Sequence, residues 1–107
     1  MRLNPHYSSW YDQQMGLSYH LMGDHVKSLE SFKKMRERTP TSYLPRGMIV
    51  ICYIHLNRES DAQAEVAELL KIRPDFSTSI WAKVQPYKDQ KFLEKELEAL
   101  RKAGVPD

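Results

Sequence analysis

Apolar and small positions along the chain return at a fixed interval. Tyr19 falls on Tyr53, Ser28 on Ala62, Phe32 on Val66, Met35 on Leu69 and Pro40 on Pro74, each pair 34 positions apart. Ser8 and Ser42, both suited to opening a helix, keep the same spacing. A period of this length marks a stacked helical hairpin. Within the first unit, Tyr11, Met15, Tyr19 and Met22 lie at i, i+4, i+8 and i+11, one face of a helix expected over about 9–22 with Ser8 as its cap. Gly23 suits a helix stop and Asp24 a second cap. Val26, Leu29, Phe32 and Met35 then form the inward stripe of a second helix, which Pro40 closes.

The second unit is harder to read. Met48 to Ile54 is an unbroken apolar run rich in branched residues, and alone it passes for a buried strand. Periodicity within so short a run cannot separate strand from helix. The 34-residue echo decides for helix, with Pro45 tolerated in a first turn where no amide hydrogen is needed. An element apolar on nearly every side is expected to be the most buried. A fourth helix is expected over about 60–72, with Ala62, Val66, Leu69 and Leu70 inward. Beyond Pro74 the period breaks. A short helix over about 76–84 is expected to stop at Pro86, and a last one, capped by Asp89, carries Leu93, Leu97 and Leu100 on one side. Gly104 and Pro106 end it, and its charged outer face suits a terminal cap.

Gly16, Tyr19, Ser28, Phe32 and Pro40, with the Gly23-Asp24 turn, make the first unit resemble the tetratricopeptide repeat. The second copy is looser, with Val50 in place of the Gly and Val66 in place of the aromatic. The resemblance implies an all-α fold of tandem antiparallel helical hairpins in a single domain. Repeat one covers about 8–41, repeat two about 42–75 and a capping region 76–107. Gly16 in mid-helix costs roughly 1 kcal/mol of helix propensity, which is understandable if its missing side chain admits a neighbouring helix. Leu3-Asn4-Pro5 is similar to the end of an earlier repeat, which implies a longer array. The ends of the chain, Pro86-Tyr87-Lys88-Asp89 and Leu100 to Asp107 with Trp10-Tyr11 at the front, resemble the repeat-bearing tails of bacterial class III adenylate and guanylate cyclases and related signalling proteins. That likeness implies a regulatory role and no catalysis.

In this family the first helix of each hairpin lines a concave groove. By register the lining would be Trp10, Gln13, Leu17, His20 and Leu21, then Leu44, Gly47, Ile51, Ile54 and His55, continued by Thr78 and Trp81. A groove of Trp, Leu and Ile suits an apolar protein segment, an extended peptide or a helix. Family members that grip a terminal carboxylate place Lys, Arg and Asn in slots where Gln13 and Leu17 stand, so that mode is not expected. Equal weight falls on the other cover for the same residues: the C-terminal helix, an upstream domain, or a second copy of the chain in a homodimer.

Charge and chemistry narrow the classes further. Split at Pro40 and Pro74, the formal charges are +6/−4, +4/−4 and +6/−6, so no segment carries the basic stripe of a nucleic-acid surface. Cys52 is the single cysteine, which leaves no disulfide and no thiolate metal cage. His20 and His55 have no third ligand at compatible spacing, so no metal or other cofactor is expected. Lys33, Lys34, Arg36 and Arg38 read as a solvated helix end complementing the dipole. No catalytic triad, phosphate loop or acidic pair stands out, so neither enzyme activity nor a small-molecule substrate is expected. The apolar run is too short to span a bilayer and the N-terminus has no secretory pattern, which points to the cytoplasm.

Overall fold

The computed structural model describes residues 5–84 and 90–107; the side chains of residues 5–10, 84 and 92 lie outside that description. Among these described residues six helices follow one another: α1 (Pro5–Leu21), α2 (His25–Arg38), α3 (Tyr43–His55), α4 (Glu59–Ile72), α5 (Thr78–Val84) and α6 (Gln90–Lys102). No strand occurs among the described residues. The apolar run Met48 to Ile54 is helical, and α3 buries eight of its 13 residues, twice the four buried by α2 or by α4. Branched side chains lower helix propensity by only tenths of a kcal/mol each, and packing on several sides overrides that.

The helix ends explain the hairpins. At the end of α1, Gly23 has φ +81°, its amide donates to the His20 carbonyl (3.1 Å) and the Asp24 amide to that of Tyr19 (2.9 Å). This crossed pair satisfies carbonyls a helix end leaves open. Asp24 then caps α2, its Oδ1 accepting from the Lys27 amide at 3.1 Å. One period later Asn57 repeats the device at φ 60°, with the Asn57 amide on Ile54 and that of Arg58 on Tyr53. Asparagine is one of the few side chains that visit this region. A Cβ at Gly23 would meet no atom within 4 Å. Gly23→Ala is therefore expected to cost about 1 kcal/mol through backbone strain alone, and Asn57→Ala a similar amount, both measurable as lower urea midpoints.

Two expected boundaries differ. The described part of α1 already includes Pro5, so Ser8 lies inside the helix and is no cap. Ser42 does precede α3, but its side chain makes no capping hydrogen bond. The expected stop at Pro86 and cap at Asp89 fall outside the described residues.

Packing ties the hairpins together. A Cβ on Gly16 would sit 2.6 Å from the Phe32 ring, so the bare backbone is what lets α2 close on α1. There Ser28 Oγ donates to the Gly16 carbonyl at 2.8 Å and lies 3.5 Å from Cys52 Sγ, linking α1, α2 and α3. The four cations read as a solvated end are partly otherwise engaged. Arg36 reaches Glu65 Oε1 (2.5 Å), whose second oxygen takes Arg46 (2.9 Å), and Arg38 pairs with Asp12. Lys33 lies 5.5 Å over the Tyr53 ring.

The third hairpin leaves the stack. The helix α6 packs against α3 and α5. It turns Leu93, Leu97 and Leu100 inward and every charged side chain but Glu96 outward. Its stop is another crossed pair, Gly104 N to Arg101 O and Val105 N to Leu100 O, both 3.0 Å. The tail then clips the start of α5: Thr78 N donates to the Pro106 carbonyl (2.9 Å) and Thr78 Oγ1 to Asp107 Oδ1 (2.8 Å). Arg101 Nε donates to the same oxygen at 2.7 Å, and that bond, before the one from Thr78, holds the Asp107 carboxyl below its usual range.

Candidate functional site

The face formed by α1, α3 and α5 carries the residues that register assigns to a groove. The structure does not leave that face open, because α6 lies on it. Ile51 and Trp81 are fully buried, so they belong to the core rather than to an exposed lining. Gly47 is buried because the Trp81 ring occupies the space its side chain would take. Thr78 is buried and bonded to the tail. Leu17, Leu44 and Ile54 are half-buried against the core, and Gln13 is half-buried too. Leu21 is 61% exposed. Trp10 lies on α1, with its side chain outside the described set.

At the centre is a carboxylate the sequence does not single out. Glu96 of α6 is 1% exposed. Its Oε2 lies 2.8 Å from His20 Nε2 on α1, and its Oε1 accepts from Trp81 Nε1 on α5 at 2.9 Å. A buried carboxylate is tolerated only where donors replace its lost water. Here the two donors stand on different hairpins, so one side chain of α6 ties both ends of the face.

Beside it, three imidazoles from three helices meet. His55 stacks on His25 with centroids 4.4 Å apart and planes 8° from parallel, and His25 lies 5.8 Å from His20. His25, the first residue of α2, was not among the expected site residues. It reaches the cluster because the tight Gly23-Asp24 turn sets it directly after α1. The cluster opens on a cavity of about 380 Å³ that Lys95 and Leu21 also line. Ring nitrogen lone pairs lie in the ring planes, so two parallel rings do not aim at one point. Among the described residues no group of three or more His, Cys, Asp or Glu is placed to hold a metal.

Burial, before the nearby His55 and His20, lowers the pKa of His25; burial, before His20 and Lys95, lowers that of His55. The unfolded chain takes up these protons near pH 6.5, whereas the folded state resists them. Stability is therefore independent of this pair above about pH 6.5 and falls as pH drops below it, the loss levelling once the folded-state pKa values are passed. Urea midpoints at pH 7.5, 6.5 and 5.5 should decline in that order, and the decline should shrink in His25→Gln/His55→Gln. Cys52 stays outside this chemistry: burial pushes its thiol up to about 11.

Among the described residues no helix is long and apolar enough to cross a membrane. Comparison with curated proteins and with solved structures finds no match. The family model described as tetratricopeptide repeat matches residues 19–85, from late in α1 through α5. With the 34-residue period, the paired turns at Gly23 and Asn57 and the packed hairpins, that match means the chain belongs to the tetratricopeptide-repeat family, whose repeats generally mediate protein–protein contacts and are non-catalytic.

Proposed function

We propose that this chain is a non-catalytic scaffold or regulatory tail of a bacterial signalling protein, and that it captures an apolar helical segment on the face of α1, α3 and α5. The observation that carries the proposal is the occupied state of that face. The helix α6 sits there with an aliphatic row, Leu93, Leu97 and Leu100, and one inward carboxylate, Glu96, received by His20 and Trp81. A partner segment would carry the same ingredients and replace α6. The likeness of the chain's ends to cyclase-type tails supports the regulatory setting.

Tethering sets the strength of competition. A segment on a short linker acts at an effective concentration on the order of millimolar, so a partner must bind better than α6 does or meet a chain whose α6 is weakened. A labelled synthetic peptide of residues 90–107 is expected to bind the full chain carrying Leu97→Ala more tightly than the unaltered chain, read by fluorescence anisotropy. The same peptide carrying Glu96→Ala should bind neither. A variant that stays helical by circular dichroism yet takes up no peptide would refute the proposal.

A further inference from the structure

The imidazole cluster holds bonding capacity that the fold does not use. Among the described residues neither His25 nor His55 makes a hydrogen bond, and His25 Nδ1 is enclosed without a partner. The Lys95 ammonium likewise makes neither a hydrogen bond nor an ion pair there. All three side chains border the cavity of about 380 Å³.

The other ionisable groups around them are already matched. Asp24, ahead of α2, accepts from the Lys27 amide and lies 4.0 Å from that ammonium. Glu96 of α6 accepts from Trp81 and pairs with His20 of α1. Glu98 and Lys102, also of α6, border a neighbouring depression with His55 and Lys95 and offset each other in formal charge. A proton taken up by His25 or His55 is therefore an unmatched positive charge at the cavity, beside that of Lys95.

We propose that this cavity binds a small inorganic oxyanion of the phosphate or sulfate type, held between the Lys95 ammonium and the protonated rings of His25 and His55. Parallel rings suit an oxyanion for the same reason that they do not suit a metal. A metal ion needs lone pairs converging on one point, whereas an imidazolium donates through both nitrogens and an oxyanion offers several oxygens to donors in separate planes. The three groups come from α2, α3 and α6, and neither Gln13 nor Leu17 takes part. The site needs α6 in place, because Lys95 is on it, and so stands apart from the capture of a partner. Burial, ahead of repulsion by His55 on His25 and by His20 on His55, lowers the proton affinity of both rings. A bound anion opposes both effects, so binding takes up protons and affinity rises as pH falls.

Sulfate is the cleaner probe, since it stays a dianion across the range and any pH dependence then belongs to the protein. Calorimetric titration of the full chain with sodium sulfate, at ionic strength held constant with sodium chloride, should show tighter binding at pH 6.0 than at pH 7.5. The gain is about tenfold for each ring whose pKa the ion raises by one unit. Lys95→Gln is expected to weaken binding at both pH values, and His25→Gln/His55→Gln to remove the pH dependence. Because these variants also alter packing, the unaltered chain carries a second readout. The ring-proton NMR titrations of His25 and His55 should both move to higher pH in sulfate than in chloride at equal ionic strength. Titrations that coincide in the two salts, or a sulfate affinity that is the same at both pH values, would overturn the inference.

Discussion

Trp81→Ala is expected to cost about 3–5 kcal/mol, the range for removing a large buried aromatic, and to lower Tm by more than about 10 °C. Folded domains hold only about 5–15 kcal/mol in all, so a single change would consume much of the margin. The ring is fully buried, meets Phe76 edge-on at 6.1 Å and fills the place of a side chain on Gly47. Its indole N–H also satisfies Glu96. Trp81→Phe separates the two roles, since it keeps much of the volume and drops the donor. Its cost should fall nearer 1–3 kcal/mol, the range for leaving a buried polar group unsatisfied.

A double-mutant cycle with Gly47 sharpens that prediction. In the native chain Gly47→Ala drives a methyl into the indole and should destabilise by about 1–3 kcal/mol, as overpacking does. With Trp81→Ala present, the clash is gone and alanine's better helix propensity remains, worth about 1 kcal/mol. The two changes together should therefore cost less than their sum by at least about 1 kcal/mol. Additive costs would mean that the ring does not sit against Gly47.

The repeat logic of this chain was open to reading because it is local. Tyr19 and Tyr53, the Gly23-Asp24 turn and the Leu93, Leu97, Leu100 row are each set by spacing within a helix or one period. Asn57 escaped because its counterpart in the first hairpin is a glycine: the backbone conformation repeats, the residue does not. The α1 start was misplaced because Ser8 suits a cap by residue type alone, while the helix runs through it. The site was the least legible part. Ile51 and Trp81 were assigned to a groove by register, and register contains no term for a helix folding back over it. The pairing of His20 with Glu96 spans 76 residues. Glu94, Glu96 and Glu98 read alike in a charged run, and only long-range packing makes the middle one buried while its neighbours stay exposed.

That buried carboxylate sets the second large effect. Glu96→Ala removes the acceptor from two donors inside the protein, and each buried donor so left unsatisfied costs about 1–3 kcal/mol. The loss should be spatially confined. The α2–α3–α4 core has its own contacts through Ser28 and Glu65, so α6 should loosen first while the stacked hairpins keep their protection. Amide exchange should quicken across Leu93–Leu100 ahead of Met48–Tyr53. Glu96→Gln keeps one carbonyl for one donor but turns an amide toward the other, so its cost should lie between those of the native chain and the alanine variant. In a Trp10→Phe background, emission reports on Trp81 alone and should shift to the red as the indole N–H meets water. Uniform acceleration of exchange in every helix would show that α6 is an inseparable part of the core, and exchange of a partner for α6 would then be physically unavailable to this fold.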